Sequence, residues 1–364
     1  MAEPEPCWTI PAHLSEKARK RDANAFFWWT SPSRTALFAC LNTKVTPVTV
    51  DTVLRWVALA APWTDEIVIK KVYLTQLAPF RYQAQTHSQF ESPLDGSVVI
   101  ESNQIYGFFH SDPKVYLSLV PLQGLYYNEA FKTMMSPRKG YAGNAPRTRT
   151  DPDILAKYFP NAAKASATPR PIQIENLWKT DVKCVFTGAT NDSPQGKHSV
   201  GIHWIFPPSM THKAPMGDRP NYDFDTDVKP KLTSDVNVLP MRDDVYELWL
   251  ENMLSVDVDD GYRIRTFGRA AANIGFPDKL VNPDKRWDNF FREHMRYTIS
   301  VAFFGGDLYI ETQGPEKLAL MGAARRGDFS DSEKWQPALG REIMQGTLAM
   351  ELRRIGGRDD VEGD

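Results

Sequence analysis

The stretch 136–171 allows no long helix or strand. Pro137, Gly140, Gly143, Pro146, Pro152, Pro160, Pro169 and Pro171 recur through it, and proline removes a backbone donor while glycine loosens the chain. The segment is the best candidate in the chain for a long loop or linker, and long irregular segments of folded proteins usually serve function or motion. Two further loop-rich stretches, 187–196 and 207–220, flank a strand-like run at 198–206.

The regions on either side are better patterned. Residues 49–60 read as a short helix with Asp51 near its start and Val53, Leu54, Trp56 and Val57 available for burial. Segments 66–77, 97–110 and 114–120 are rich in Val, Ile, Tyr and Phe, and Pro93, Asp95-Gly96 and Asp112-Pro113 between them are turn signals. In the C-terminal third, Asp243 is placed to cap a helix carrying Leu248, Trp249 and Met253, and Asn282-Pro283 starts one carrying Trp287, Phe290, Phe291 and Met295. Residues 298–304, Gly305-Gly306 and 308–312 read as a hairpin, and 339–354 as a final helix that Gly356-Gly357 should end. Helix-like and strand-like segments intermix without β-α alternation, which predicts an α+β fold with mixed or antiparallel sheets, packed helices and a helix-richer C-terminal third. The expected organisation is a basic arm (1–24), a mixed sheet and helix region (25–135), a loop-rich basic region (136–220), an α+β region (221–356) and an acidic tail (357–364), or all of these in one large domain.

Charge is sorted along the chain, although the formal net charge is only −2. Residues 132–183 carry ten cations against four anions, and residues 223–260 carry eleven anions against three cations. Opposed blocks can dock subunit to subunit, or leave a basic face for a polyanion. In the basic block, Arg138, Lys139, Arg147 and Arg149 sit among Gly and Pro with no acid before Asp151. A second basic run, Lys17, Arg19, Lys20 and Arg21, leads into Phe26, Phe27, Trp28 and Trp29. It reads either as an arm that touches phosphates while its rings stack on bases, or as a solvated helix end before a buried aromatic cluster.

Two patterns mark the acidic block. Residues 222–228 alternate so that Asp223, Asp225 and Asp227 line one face if the segment is extended. Residues 256–267 read as a hairpin whose loop is Asp259, Asp260 and Gly261, with Gly261 left-handed. That register sets Asp257 opposite Arg263 and Val256 opposite Ile264, so part of the block is spent on the hairpin and on the cap at Asp243.

Motifs for catalysis and cofactors are missing. Gly188 to His198 has the wrong spacing for a phosphate loop, and His198 replaces the required hydroxyl; no G-x-S-x-G, H-E-x-x-H or dinucleotide fingerprint occurs. Counting back from Gly261 puts Val256 and Val258 at calcium-ligand positions, so that loop also fails. His198 and His203 face opposite sides of an extended strand, which argues against a shared metal ion with His212. Cys7, Cys40 and Cys184 form no C-x-x-C and indicate a reducing compartment. Cys184 reads as a small buried hydrophobe rather than a nucleophile.

These features suggest a self-assembling structural subunit that coats or packages nucleic acid, such as a viral capsid or nucleoprotein. Its expected partners are other copies of itself and single- or double-stranded RNA, with Arg138, Lys139, Arg147, Arg149, Lys17, Arg19, Lys20 and Arg21 as the contacts. No cofactor, metal or membrane is expected. The apolar run 53–63 is too short to span a bilayer, and Glu3 and Glu5 stand where a secretory signal would be apolar. The expected location is the cytoplasm or a virion. The alternatives are a metal-dependent phosphodiesterase or nuclease built on the Asp223 row, and a monomeric binding module.

Overall fold

A computed structural model describes residues 21–30, 35–60, 66–86, 92–112, 114–115, 182–190, 199–207, 222–304 and 315–359. The fold is α+β, and the chain divides into two compact units. The first unit takes residues 1–54, 63–120 and 304–364; the second takes 55–62 and 121–303.

The first unit is built on a six-stranded mixed sheet in the order β3-β6-β1-β2-β5-β4. Its strands are β1 (Ala25–Thr30), β2 (Thr35–Leu41), β3 (Ile67–Lys71), β4 (Tyr73–Ala78), β5 (Arg81–Gln85) and β6 (Gln104–His110). β1 runs parallel to β6 and antiparallel to β2, with a bulge between Phe27 and Trp28. β1 is paired on both edges, and its side chains are buried on both faces. Phe26 and Trp28 pack with Leu37, Cys40, Val72 and Ile105, while Phe27 and Trp29 stack among Phe38, Tyr106 and Phe108. A strand covered on both faces shows no alternation in sequence, which explains why this run reads only as an aromatic cluster. Its four rings are core and are withheld from any base, so of the two readings of this run the buried aromatic cluster holds and base stacking does not.

Helix α1 (Val50–Ala60) occupies the span expected of it. Segment 66–77 is two strands rather than one, and of 114–120 only residues 114–115 are described, in a turn.

The second unit contains two antiparallel ribbons. One pairs β7 (Val200–Trp204) with β8 (Val238–Arg242); the other pairs β9 (Leu254–Asp257) with β10 (Arg263–Thr266). The second ribbon has the register read from sequence, Asp257 opposite Arg263 and Val256 opposite Ile264, around Gly261 at φ 63°. Helix α2 (Asp243–Leu250) begins with Asp243 as its first residue while Arg242 holds the cap position, so Asp243 is not the N-cap. A four-residue helix α3 (Arg269–Ala272) follows β10, and then α4 (Asp288–Ala302). Helix α4 absorbs 298–302, so the expected strand there is wrong. The β-branched Thr298 and Ile299 are buried on the face that continues Phe291 and Met295, and tertiary burial overrides their preference for strands. The partner segment 308–312 lies outside the described residues. The core gathers Phe186, Trp249, Val256, Phe290, Phe291 and Tyr297. Buried Asn237 ties it together, accepting from the Phe206 N–H at 2.9 Å and donating to the Phe206 and Leu232 carbonyls, each at 2.8 Å.

The C-terminal part of the first unit is helical: α5 (Pro315–Arg325), α6 (Ser332–Trp335) and α7 (Ala338–Asp359). Helix α7 runs through Gly356-Gly357 instead of stopping there. The cost of a helical glycine is about 1 kcal/mol, which biases a helix but does not by itself end one.

Candidate functional site

Of the eight cations expected to meet nucleic acid, Arg138, Lys139, Arg147, Arg149, Lys17, Arg19 and Lys20 lie outside the described residues. Arg21 is half-buried just before β1, where its carbonyl accepts from Asn42 Nδ2 at 2.9 Å. Burial lowers the pKa of its guanidinium, against an opposing effect from Cys40.

The acidic block is described in full, and eight of its eleven carboxylates have a named local partner: Asp223, Asp225, Asp227, Asp243, Asp244, Asp257, Asp259 and Asp260. Residues 224–228 form a wide helical turn, not a strand. Asp223 caps the turn, its Oδ1 accepting from the N–H groups of Asp225 at 2.8 Å and Thr226 at 3.4 Å. Asp227 Oδ2 accepts from the Asp223 N–H at 2.9 Å, and Asp225 pairs with Lys229 at 2.9 Å. Short polar side chains that bond their own backbone compete with strand pairing, so the three carboxylates hold a turn and do not line one face. Among the described residues no cluster of three or more His, Cys, Asp and Glu could hold a metal ion.

The hairpin spends its charges differently from the direct pairing expected. Asp257 is buried, and its Oδ2 meets Arg55 Nη2 at 2.7 Å, Trp56 Nε1 at 3.3 Å and Arg265 Nε at 3.5 Å. Arg263 turns instead to Asp260 in the loop, at 2.8 Å. Arg265 also donates to Asp260; burial lowers its pKa, while Asp257 and Asp260 hold its charge in place. Asp259 receives Arg292 at 2.9 Å, and Arg242 grips Asp244 through Nε at 2.9 Å and through Nη2, which raises the arginine's pKa. Charges desolvated like the Asp257 set persist only when paired.

Two Ser–His arrangements could be mistaken for catalytic ones. In the first, Asp243 sits between Ser199 and His203: the serine hydroxyl donates to its Oδ2, His203 Nε2 lies 2.9 Å from its Oδ1, and the imidazole stacks on Tyr246 at 4.0 Å. Gly201 makes room, since a Cβ there would lie 2.6 Å from His203 Nε2. The serine donates to the carboxylate and not to the imidazole, so the Ser–His contact of a nucleophile and its imidazole base is not made. In the second, Ser255 Oγ lies 2.9 Å from His294 Nδ1, and His294 Nε2 lies 3.1 Å from the Trp249 carbonyl. The Nε2–H therefore donates to the carbonyl and Nδ1 accepts from the serine. Burial pushes His294 down to about 3, its ring stacks on Trp249 at 3.5 Å, and both Ser255 and His294 are fully enclosed. This is a core network, extended by Thr298 donating to Asn252 Oδ1 at 3.1 Å.

No family model, curated protein or solved structure matches this chain.

In the first unit, Glu342 of α7 holds the β4–β5 hairpin. Its Oε1 accepts from Gln76 Nε2 at 2.8 Å and the Phe80 N–H at 2.9 Å, and its Oε2 accepts from the Tyr82 hydroxyl. Gln76 also donates to the Glu342 carbonyl at 2.9 Å. Burial raises the pKa of Glu342, with the three donors opposing it, and raises that of Tyr82 as well. Sequence reasoning missed this carboxyl because nothing local distinguishes it from a solvated helical glutamate; its partners are some 260 residues away along the chain. No helix among the described residues is long and apolar enough to cross a membrane.

Proposed function

We propose that the chain is a self-assembling structural subunit that coats or packages nucleic acid, in the manner of a viral capsid protein or nucleoprotein. The observation that supports this reading is the local engagement of the acidic block. Asp244, Asp257, Asp259 and Asp260 hold arginines of their own unit, Asp225 holds Lys229, and Asp223 and Asp227 hold backbone. Docking the basic block onto these acids would mean displacing existing partners. A polyanion from outside meets no such cost, and the ten cations of 132–183 are the match for it. The Asp223 row, on which the nuclease alternative was built, is a helical turn and not the extended face that alternative needs.

The test is binding of a single-stranded RNA across a salt series. The log-log slope should be steep, and each of Arg138→Ala, Lys139→Ala, Arg147→Ala and Arg149→Ala should make it shallower by about 0.7 per lost contact. Binding indifferent to salt, or absent, refutes the nucleic-acid role. Analytical ultracentrifugation of the same samples tests assembly, which a monomer at every concentration would refute.

A further inference from the structure

One face of the β9–β10 hairpin carries more positive charge than its carboxylates answer. Segment 278–280 joins the outer edge of β10 by a single antiparallel bridge, Arg263 opposite Lys279. The Ile264 N–H donates to the Asp278 carbonyl at 3.0 Å and the Leu280 N–H to the Tyr262 carbonyl at 2.9 Å. These two bonds flank the bridge, so Arg263 and Lys279 form the non-hydrogen-bonded kind of pair, in which opposed side chains share a face and stand closest. Like charges placed directly opposite destabilise a sheet. Asp257 lies opposite Arg263 on its other side, and Arg265 follows two residues along β10, so all four stand on one face. Arg55 of α1 reaches the same face through Asp257.

The carboxylates of this face are shared. Asp257 divides between Arg55 at 2.7 Å and Arg265 at 3.5 Å, and Asp260 between Arg263 at 2.8 Å and Arg265. Asp278 is 94% exposed and reaches Arg263 only at 4.0 Å. Among the described residues Lys279 has no acid partner; its ammonium lies over the loop, 2.8 Å from where a Cβ on Gly261 would stand. Four cations therefore meet three carboxylates, one of them in open water. The nearby Asp259 and Asp288 are held by Arg292 and by the Tyr262 hydroxyl, on the α4 side of the hairpin. Arg265 registers the crowding: burial lowers its pKa, and the charges of Arg263 and Arg55 add to that against the pull of Asp257 and Asp260.

We infer that Arg263 and Lys279 bind a phosphate group, with Arg265 and Arg55 behind them. A phosphate between the two side chains turns their repulsion into charge-assisted hydrogen bonds and cancels the one positive charge in excess. Arg263 spends its Nε on Asp260, and its Nη1 makes only the long contact to Asp278, so the planar end of the guanidinium remains for two phosphate oxygens while Lys279 supplies a point charge to the third. Asp260 holds Arg263 in place, and Arg265 is fixed over the Trp56 ring at 5.7 Å, so little freedom is lost on binding.

The test uses the full chain with two probes, inorganic phosphate and a single-stranded RNA. Isothermal titration with phosphate, against chloride at equal ionic strength, should show saturable binding that Lys279→Gln and Arg263→Gln each weaken at least about fivefold. Lys279→Glu separates binding from a structural role. It sets a carboxylate opposite Arg263, so it should abolish phosphate binding while raising the urea midpoint of the phosphate-free protein. In the RNA arm, Lys279→Gln should make the log-log salt slope shallower by about 0.7 if the phosphate is that of the backbone, and leave it unchanged if the site takes free phosphate. Sensitivity of either probe to Lys279 upholds the site; indifference of both, or a Lys279→Glu variant less stable than wild type, overturns it. The site stands apart from the basic block of 132–183: phosphate binding that Lys279→Glu abolishes, in a chain that binds no RNA, upholds the site and overturns only the nucleic-acid role.

Discussion

Replacing Glu342 tests whether α7 holds the β4–β5 hairpin through one carboxyl. Glu342→Ala removes the acceptor for three donors, the Phe80 N–H, Gln76 Nε2 and the Tyr82 hydroxyl. Gln76 keeps the Glu342 carbonyl, so two donors lose their partner outright. A buried donor left unsatisfied costs about 1–3 kcal/mol. Against this, the alanine variant no longer pays for enclosing a carboxyl, and the expected loss at neutral pH is about 3 kcal/mol, a large part of the stability of an ordinary domain. Glu342→Gln keeps Oε1 as acceptor and replaces the charge, and should lose less than about 1 kcal/mol. The pH dependence gives the second signature. Because burial raises the Glu342 pKa, the folded state binds this proton more tightly than the unfolded chain does. Its stabilising effect is complete below the ordinary carboxylate pKa and is lost as pH rises through the raised folded value. Urea denaturation, with hydrogen exchange of the β4–β5 amides as the local readout, should show the wild type strengthening relative to Glu342→Gln as pH falls from about 7 to about 4. An alanine variant within about 0.5 kcal/mol of wild type, or parallel pH profiles for the wild type and Glu342→Gln, would refute the reasoning.

In the second unit the pH dependence should have the opposite sign. His294 has its pKa pushed down to about 3, so the stability linked to its neutral form is present above about pH 6.5 and is lost as pH falls from there toward the folded pKa, by a few kcal/mol near about pH 4; exchange of α4 amides during acidification measures it, and no change between pH 7 and 4 would contradict it. Gly346→Ala should destabilise the first unit by about 1–3 kcal/mol despite alanine's better helix propensity, because the new Cβ would lie 2.6 Å from the Ala78 carbonyl carbon and from Pro79 Cα; a rise in the urea midpoint would show that the backbones can separate. Asp257→Ala should cost about 2–4 kcal/mol by taking the acceptor from Trp56 Nε1 and the carboxylate from Arg55, while Arg265 keeps Asp260; the loss is less than for a fully enclosed pair because Arg55 is 31% exposed, whereas Asp225→Ala, at an exposed pair, should leave the same urea midpoint unmoved.

What could be read from the sequence follows the range of the forces involved. The β9–β10 register was legible because a left-handed glycine and cross-strand alternation are local signals, and α1 because its apolar positions and its start fall within eleven residues. The aromatic run of β1 was illegible as a strand because side chains on both of its faces are buried, and Asp223 to Asp227 misled because alternation alone does not record side chains bonding their own backbone. The partner of Asp257 was misread for a related reason. Register places Arg263 beside it, but the distant Arg55 reaches the buried carboxylate and the nearer arginine turns toward its loop. For α7 the sequence supports a helix but does not say which face is buried; packing makes it the one through Ile343 and Gly346, while Leu348 and Leu352 are exposed.

The Glu342 clasp also sets an order of events during synthesis. Phe80 and Tyr82 leave the ribosome some 260 residues ahead of the carboxyl that satisfies them, an interval of about 10–50 s at ordinary elongation rates. Through that interval the edge of the sheet is exposed without the helix that completes it. A nascent chain is then most vulnerable to wrong pairing, and a chaperone that shields the β4–β5 edge should raise the yield of folded protein more than one acting after release.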